Sequence, residues 1–288
     1  MKTGVIGLGA MGAHMARNLA KHGFLQTVYN RTQSKAEDLA KELGIEHAES
    51  PAAVATQSEL IIICVSRDED VLEMIDAIKD HLQAETIIID TSTVSADTAK
   101  SAATILNDVN THFLDCPVSG GTEGAKNGTL AMMVGGDESI LNKAKDMLDA
   151  IAANIIYIGP TGSGQATKAV NQIMAAGINQ AVTEALAFGK AMGLPMEKVV
   201  DVVSNGAAGN WFVQHRGKTM LVNKYEPGFK LALHHKDLSI CKSMIKQQGD
   251  NALPTVEMTL IHYQKLMDEG YGDEDISALF RLKQKLFE

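Results

Sequence analysis

The chain changes character at one glycine-rich stretch, Gly162-Ser163-Gly164-Gln165-Ala166-Thr167-Lys168-Ala169-Val170-Asn171. Two glycines allow a tight entry, and no proline follows before Pro195, which predicts a long helix that begins at a domain boundary. Alternating strand and helix patterns precede this stretch, whereas the patterns after it are helical. We therefore expect an α/β domain over residues 1–161 and an all-helical domain over residues 162–288, joined by a long interdomain helix.

Lys168 and Asn171 are three residues apart on the predicted helix, so their side chains share one face, with Gln172 beside them. Small and apolar residues surround Lys168, and desolvation lowers the pKa of a lysine toward values that suit proton transfer. The alternative is a surface lysine whose stem packs along the helix while its ammonium group reaches water. The stretch by itself does not decide between these two interpretations.

The N-terminus places a glycine motif between a strand and a helix. The strand Gly4-Val5-Ile6 runs into Gly7-Leu8-Gly9-Ala10-Met11-Gly12, and a helix is predicted from Ala13 to His22. In this setting the first glycine makes a turn, the second lets the backbone approach a pyrophosphate, and the third lets helix and strand pack closely. The motif therefore predicts a dinucleotide-binding Rossmann domain rather than a plain glycine turn.

The second predicted strand, Gln26–Tyr29, ends at Asn30-Arg31-Thr32. A site specific for NAD usually offers an acidic residue at this position, where the adenosine ribose binds. This chain lacks the carboxylate that would repel a 2′-phosphate, and Arg31 provides a guanidinium that can pair with one. We expect NADP as the cofactor, with NAD possible, although Arg31 could also be an ordinary solvated loop residue.

Continuous apolar runs at Leu60–Val65 and Thr86–Asp90 predict strands that are buried on both faces. Thr91-Ser92-Thr93 follows the second run at the edge of the sheet where ligands bind, but its hydroxyls could instead cap the next helix. Ser119-Gly120-Gly121 follows another strand and offers a hydroxyl and backbone amides to a carboxylate, or forms a plain turn. Further strands are predicted at His112–Cys116, Thr129–Val134 and Asn154–Ile158.

Composition excludes several classes of function. The net charge of −9 over 288 residues argues against nucleic-acid and membrane partners. Cys64, Cys116 and Cys241 are odd in number and far apart, so neither a disulfide framework nor a zinc site is predicted. The adjacent His234 and His235 point in different directions on a helix, and we expect no metal. No signal peptide or membrane-spanning run is present, so we expect a cytoplasmic protein.

The predicted helical half offers two further expectations. Trp211, the only tryptophan, follows a glycine-rich loop and is either part of the core or a wall of a substrate pocket. Several apolar helices lie in less than half of the chain, and such a small domain is expected to bury part of its surface against another copy. We therefore expect a homodimer or a homotetramer.

Four motifs, in their order along the chain, resemble those of the β-hydroxyacid dehydrogenase family, which includes 3-hydroxyisobutyrate dehydrogenase and tartronate semialdehyde reductase. They are Gly7-Leu8-Gly9-Ala10-Met11-Gly12, Asp115-Cys116-Pro117-Val118-Ser119-Gly120-Gly121, the stretch from Gly162 to Asn171, and Lys236-Asp237-Leu238. The resemblance covers nearly the whole chain. It implies a Rossmann domain followed by an all-helical domain.

The resemblance also implies roles for individual residues. Lys168 would be the catalytic acid or base, and the substrate carboxylate and hydroxyl would be surrounded by Asn171, Ser119, Gly120 and Gly121. The nicotinamide side of the cofactor would be lined by Val65, Ser66, Thr93 and Lys236. Relatives often have proline at position 66 and alanine at position 116, and we expect Ser66 and Cys116 to alter only the packing. In 6-phosphogluconate dehydrogenase a histidine stands where this shorter chain has Asn171, which argues against that substrate.

These observations predict an oxidoreductase that transfers a hydride between NADP(H) and a small 3-hydroxy acid or semialdehyde. Substrates of the 3-hydroxyisobutyrate, tartronate semialdehyde, succinic semialdehyde or glyoxylate type fit this prediction. The alternatives are a non-catalytic dinucleotide-binding module and an imine reductase on the same scaffold. The joint presence of Lys168, Asn171 and the serine-glycine turn favours the dehydrogenase over the module, and Lys168 argues against the imine reductase.

Overall fold

The protein, represented by a computed structural model, consists of two compact units, Met1–Lys168 and Ala169–Glu288. The structure describes residues 1–246, 248–249 and 251–287. The long helix α8, Ser163–Ala191, contributes its first turns to the first unit and the rest to the second. The predicted boundary at residues 161 and 162 therefore lies just before this helix begins.

The first unit alternates strands and helices. Its strands are β1 Thr3–Ile6, β2 Leu25–Tyr29, β3 Glu46–His47, β4 Leu60–Ile63, β5 Ile87–Asp90, β6 His112–Asp115, β7 Val118–Ser119, β8 Leu130–Gly135 and β9 Ala152–Gly159. Its helices are α1 Gly12–Lys21, α2 Gln33–Leu43, α3 Pro51–Gln57, α4 Asp68–Lys79, α5 Ala96–Asn107, α6 Gly121–Asn127 and α7 Glu138–Asp149.

The strands form one twisted sheet in the order β3-β2-β1-β4-β5-β6-β8-β7, with β9 paired to β8. The six strands from β3 to β6 are parallel, and β8 runs antiparallel to both β6 and β7. The strand order reverses direction at β1, which is the arrangement of a doubly wound dinucleotide-binding fold. The predicted α/β class with an N-terminal Rossmann domain is confirmed.

The apolar runs of β4 and β5 are buried on both faces of the sheet. Leu60 and Ile62 belong to one hydrophobic cluster, whereas Ile61 and Ile63 belong to another. Successive side chains of a strand point to opposite faces, so the two clusters lie on opposite sides of β4. This explains why these strands have continuous apolar sequences rather than an alternating pattern.

The second unit is helical, as predicted. After α8 it contains α9 Met196–Ser204, α10 Trp211–Leu221, α11 Leu231–Lys246, α12 Pro254–Asp268 and α13 Leu279–Gln284, with a 3-10 turn at Ile276–Ala278. The helices enclose a core of their own that includes Leu231, Val256, Tyr263 and Phe280. The Gly193, Gly206–Gly209, Pro227 and Pro254 regions, where the sequence predicts breaks, lie at helix ends or between helices.

The short elements were not predicted. Strands β3 and β7 have two residues each, too few to show an alternating pattern. Helix α3 does carry a start signal, because the Ser50 side chain accepts a hydrogen bond from the Ala53 amide at 3.2 Å and Pro51 occupies the first helical position. That signal lay in an alanine-rich segment without a strong helical period.

Helix α8 begins in close contact with the sheet. A Cβ atom on Gly164 would lie 2.5 Å from the carbonyl oxygens of both Asp115 and Met133. These neighbours are backbone atoms of strands, which cannot move away as a flexible side chain could. Glycine at this position therefore allows the helix to approach the end of β6 and the neighbouring strand β8.

Replacing this glycine gives a direct test of the close approach. Gly164→Ala is expected to lower the free energy of unfolding by about 1–3 kcal/mol, because overpacking outweighs the gain in helix propensity. Gly177→Ala on the same helix is the matched control, since its Cβ would meet only Thr255 Cγ2 at 3.7 Å. Urea unfolding should show a stability gain of up to about 1 kcal/mol for the control. Equal effects of the two substitutions would contradict the steric explanation.

Candidate active site

The carboxyl ends of four parallel strands meet at one edge of the sheet. Ile6 of β1 pairs in register with Ile63 of β4, Ile63 with Asp90 of β5, and Asp90 with Asp115 of β6. The loops that leave these strands therefore begin side by side, and they carry most of the residues predicted for the site. We call this edge of the first unit the carboxyl edge.

The glycine turn between β1 and α1 has the geometry that a phosphate-binding turn requires. Gly7 has a φ of 97°, and a Cβ at that position would overlap the carbonyl oxygen of Cys64. A Cβ on Gly12 would overlap the carbonyl oxygen of Gly7, so the start of α1 packs directly on the turn. No heavy atom lies within 4 Å of the Cβ position of Gly9, which leaves room for a ligand beside the backbone.

The loop after β2 is tied to the glycine turn. Asn30 Oδ1 accepts a hydrogen bond from the Leu8 amide at 2.9 Å, and Asn30 Nδ2 donates to the Thr32 carbonyl at 3.0 Å. The Arg31 side chain is 81% exposed, and its Nη1 lies 3.4 Å from Asp70 Oδ1 on α4. Asn30 therefore shapes this corner of the carboxyl edge, while Arg31 presents a cation at its surface.

The hydroxyls after β5 do not cap a helix. Thr91 Oγ1 donates to the Ile63 carbonyl at 2.9 Å, and Ser92 Oγ accepts from the Val65 amide at 2.9 Å. The N-cap of α5 is Ser95, whose hydroxyl accepts from the Thr98 amide. The capping alternative for Thr91-Ser92-Thr93 is therefore wrong, because Ser95 is the N-cap, and Thr91 and Ser92 instead join the end of β5 to the end of β4 and the loop after it.

Asp115 binds the start of the long helix. Its Oδ1 accepts a hydrogen bond from the Gly162 amide at 2.8 Å, and its Oδ2 accepts one from the Gln165 amide at 2.9 Å. Burial raises the pKa of Asp115, and these two amides act against that rise. The Gln165 side chain donates to the Ser92 carbonyl at 2.9 Å and accepts from the Val94 amide at 3.2 Å. The first turn of α8 is thereby fixed to the loops after β5 and β6.

Lys168 lies one turn further along this helix and is only 7% exposed. Its Nζ donates a hydrogen bond to the Val118 carbonyl at 2.9 Å. The surface-lysine alternative is therefore wrong, since the ammonium group is held next to Ser119 rather than in water. Gly120 and Gly121, which follow, have positive φ values of 130° and 61°, a conformation that favours glycine.

In the second unit, two of the predicted residues are connected by a buried chain of hydrogen bonds. Asn171 Nδ2 donates to Gln172 Oε1 at 2.7 Å, and Gln172 Nε2 donates to Asp237 Oδ2 at 2.6 Å. Asp237 Oδ1 lies 2.8 Å from Lys236 Nζ. Gln172 and Asp237 are 2% and 4% exposed, so the middle of this chain is shielded from water, whereas Asn171 and Lys236 at its ends are partly exposed.

A second set of buried contacts holds the backbone of this region. His234, on α11, has Nε2 3.2 Å from the Gln172 carbonyl and Nδ1 3.1 Å from the Tyr263 hydroxyl. Asn179 Nδ2 donates to the same hydroxyl at 2.8 Å. His234 therefore helps to hold helix α8 at Gln172, a role different from metal binding.

Trp211 is not part of the core. It is 59% exposed, its ring stacks on His215 at a centroid distance of 4.2 Å, and the Arg216 guanidinium lies 5.4 Å from its ring. The core alternative for this residue is therefore wrong. Its place as a wall of a substrate pocket stays a prediction.

The buried cysteines and aspartate of the first unit, and the possible metal ligands, bear on which reactions the site can support. Burial raises the pKa of the Cys64 thiol to about 11 and that of Cys116 well above its usual range, so neither forms a ready thiolate nucleophile. Asp90 is also buried, and burial raises its pKa to about 6. Within the described residues, no group of three or more His, Cys, Asp or Glu side chains is arranged to hold a metal ion. The role of Lys168 in proton transfer stays a prediction.

The contacts that four residues make in the candidate site were not predicted from the sequence. Asp115 and Asp237 stand inside quoted motifs, but only the structure shows the helix start and the lysine that they contact. A carboxylate that lies in space next to the amides of a helix start can cap that helix. The sequence could have indicated this role for Asp115 only if its segment and the start of α8 were known to be adjacent. Gln165 gave no signal, and Gln172 was noted only as a neighbour of Lys168 and Asn171, because an amide in a helix is compatible with exposure as well as burial.

No helix in the described ranges is both long and apolar enough to cross a membrane.

Comparison with family models divides the chain at the same glycine-rich stretch. Residues 2–159 match the NAD-binding domain of 6-phosphogluconate dehydrogenase. Residues 162–283 match the NAD-binding domain of NADP-dependent 3-hydroxyisobutyrate dehydrogenase. The two matches together account for nearly the whole chain.

Similar proteins match over their full length. An uncharacterized oxidoreductase of Shewanella frigidimarina is 37% identical, covering 99% of this chain and 98% of the relative. The 2-hydroxy-3-oxopropionate reductase of Escherichia coli is 36% identical over 97% of this chain and 96% of its own. The solved structure of 3-hydroxyisobutyrate dehydrogenase from Mycobacterium tuberculosis with L-serine has a TM-score of 0.88 and 29% identity, covering 98% of this chain and 99% of that one.

Proposed function

Because this chain belongs to the β-hydroxyacid dehydrogenase family and is an NAD(P)-dependent oxidoreductase, we propose that it interconverts a small hydroxy acid, of the 3-hydroxy type or a close analogue, and the corresponding semialdehyde or oxo acid, with NADP(H) preferred. Candidate substrates are of the 3-hydroxyisobutyrate, tartronate semialdehyde, succinic semialdehyde or glyoxylate type. The observation that carries the proposal is the buried Lys168, whose Nζ is fixed 2.9 Å from the Val118 carbonyl.

The residues of the carboxyl edge fit a dinucleotide. The space beside Gly9 would receive the pyrophosphate, and the turn from Gly7 to Gly12 would bind it through backbone amides and the start of α1. Arg31 and Thr32 would face the adenosine ribose, with Asn30 holding the loop. Val65, Ser66 and Thr93 in the first unit, and Lys236 in the second, are the candidates for contacts near the nicotinamide. When bound, the nicotinamide supplies or accepts the hydride.

Lys168 would move the proton. Its ammonium form would donate to the carbonyl oxygen during reduction, and its neutral form would accept the hydroxyl proton during oxidation. The Val118 carbonyl fixes the position of Nζ, and the Asp115 contact fixes the helix that carries it. Asn171 shares this helix face and would orient the hydroxyl or the ammonium group.

Ser119, Gly120 and Gly121 would bind the substrate carboxylate. The positive φ values of the two glycines turn successive backbone groups in a way that suits an anion. The same segment ends at the carbonyl group that Lys168 contacts, which would place the carboxylate and the reacting carbon near each other. Trp211 is proposed as a wall that limits substrate size.

The two alternatives from the sequence are weakened on different grounds. Membership of a dehydrogenase family removes the non-catalytic module. The imine reductase alternative is disfavoured by Lys168, because members of that group generally replace the lysine.

The three cysteines are free, which agrees with a reducing compartment such as the cytoplasm.

A panel of small aldehydes and oxo acids, assayed by NADPH oxidation, tests the proposed substrate class. We expect turnover of at least one acid among glyoxylate, tartronate semialdehyde, succinic semialdehyde and methylmalonate semialdehyde. The methyl ester of the best semialdehyde is the matched control, and its kcat/KM should be lower by about a hundredfold or more, because losing the carboxylate also loses orientation. Comparable turnover of the acid and its ester would show that the carboxylate assignment is wrong.

The role of Lys168 predicts a selective loss of chemistry. Lys168→Ala should lower kcat by about a hundred- to ten-thousand-fold, while the Kd for NADPH stays nearly unchanged. Lys168→Arg should fail almost as badly, because a guanidinium keeps its proton. In the native enzyme, the rate of alcohol oxidation should rise with pH as the neutral amine is formed.

Lys283 provides a control for the loss of a buried ammonium group. It is 2% exposed, lies on α13, and pairs with Glu184 at 2.7 Å. Lys283→Met should lower stability but leave kcat close to the native value. Native kcat in Lys168→Ala, or an equal kcat loss in Lys283→Met, would assign Lys168 a structural role.

The second unit is proposed to assemble with another copy, as a homodimer or homotetramer. Several large apolar side chains of this unit are exposed, and the Phe188 and Phe287 rings lie 6.3 Å apart while each is about half exposed. Val170 and Met174, which lie four residues apart on α8, are also exposed, as is Met192 just after this helix. Light scattering at micromolar concentration should give a mass of two or four chains, and a monomer would contradict this proposal.

A further inference from the structure

A charge contact between the loop after β2 and the first turn of α4 bears on cofactor choice. Arg31, at the end of β2, lies with Nη1 3.4 Å from Asp70 Oδ1. The Asp70 side chain is 22% exposed, compared with 81% for Arg31, so the carboxylate occupies the more sheltered side of the pair. Both residues belong to the first unit, so their contact lies within one compact unit.

Asp70 is distinct from the other acids of the first turn of α4. That turn contains Asp68, Glu69 and Asp70. Asp68 Oδ1 accepts hydrogen bonds from the Ser95 amide at 2.8 Å and the Thr98 hydroxyl at 2.7 Å, so Asp68 joins α4 to α5. Glu69 is exposed. All three gain from the positive end of the helix dipole, but only Asp70 is paired with the residue proposed to bind a 2′-phosphate.

We infer that Asp70 is a specificity-determining residue, which competes with the 2′-phosphate of NADP(H) for the Arg31 guanidinium and so reduces the preference for NADP(H) over NAD(H). The inference rests on the proposed function, because it assumes that a dinucleotide binds with its ribose at Arg31. It adds a residue that the glycine turn and the Asn30-Arg31-Thr32 loop do not include.

The physical argument follows from the charges. A 2′-phosphate carries between one and two negative charges near neutral pH, so it must share the guanidinium with Asp70 or displace it. An exposed ion pair contributes little stability, so displacement is possible. The displaced carboxylate stays nearby and repels the phosphate, since both are anions. The 2′-hydroxyl of NAD(H) is neutral and experiences no such repulsion.

Asp70→Asn tests this competition in the full-length protein. The Kd values of NADPH and NADH are measured by titration calorimetry, which needs no substrate and no turnover. The ratio of NADPH affinity to NADH affinity should rise by about two- to fivefold, the range of an exposed charge contact, and the change should come from NADPH. The gain should shrink at high ionic strength.

Two controls separate the Asp70 contact from general charge effects. Glu69→Gln removes one negative charge from the same helical turn, and it should change the affinity ratio by less than about half as much as Asp70→Asn. Arg31→Met should lower the ratio. In the Arg31→Met background, Asp70→Asn should have little further effect, because the shared guanidinium is absent.

The outcomes distinguish this inference from the proposed function. An unchanged or lower ratio in Asp70→Asn, an equal rise in Glu69→Gln, or an undiminished rise in the Arg31→Met background would overturn the role of Asp70. Native protein that binds NADH better than NADPH would overturn the proposed cofactor preference, yet a higher ratio in Asp70→Asn would still support the competition. Native protein that binds neither dinucleotide would overturn both.

Discussion

The carboxylate of Asp115 at the first turn of helix α8 is the contact on which the candidate site depends. It accepts backbone hydrogen bonds from Gly162 and Gln165 at 2.8 and 2.9 Å, and it stands at the end of a strand in the middle of the sheet. A helix start offers unpaired amides and a partial positive charge, so the buried carboxylate and the helix satisfy each other. Lys168 then lies one turn beyond a point that is fixed to the sheet.

This arrangement has an electrostatic cost. Asp90 and Asp115 are neighbours in register on adjacent strands, and both have a pKa raised mainly by burial. Asp90 Oδ1 accepts from the Ser92 amide at 2.9 Å, whereas its Oδ2 has no hydrogen-bond partner in the described part of the chain. Buried carboxylates with incomplete hydrogen bonding are unfavourable for stability, and they are more common where a protein positions reactive groups.

The sequence predicted the parts of the fold that depend on local patterns. Long apolar runs such as Leu60–Ile63 and the glycine turn from Gly7 to Gly12 were located correctly, because burial on both faces and a tight turn leave strong local signals. The two-residue strands β3 and β7 were missed, since pairing with neighbours rather than sequence creates them. The sequence left open whether Thr91-Ser92-Thr93 caps the next helix, because it could not show that the Ser92 hydroxyl accepts a hydrogen bond from the Val65 amide, 27 residues earlier.

For the candidate site, as for the fold, the sequence predicts features that depend on local spacing and misses those that depend on distant contacts. Spacing alone placed Lys168 and Asn171 on one helix face, but the hydrogen bond that holds the Lys168 ammonium group is made to the Val118 carbonyl, 50 residues earlier in the chain. The Arg31–Asp70 contact joins residues 39 positions apart, and neither sequence neighbourhood indicates it. Contacts between distant segments decide which of several locally equivalent polar residues become functional.

At the carboxyl edge, rigid backbone contacts therefore set the positions of the turn and of α8, whereas exposed charges contribute only small free energies. A Cβ on Gly7, Gly12 or Gly164 would meet a backbone carbonyl oxygen, so the positions of the turn and of α8 are set by steric exclusion. Violating such steric exclusion costs about 1–3 kcal/mol, whereas an exposed ion pair such as Arg31–Asp70 is worth about 1 kcal/mol or less. The location of the proposed site is thus strongly fixed, while in our proposal the choice between two dinucleotides rests on a small free-energy difference that one surface substitution can alter.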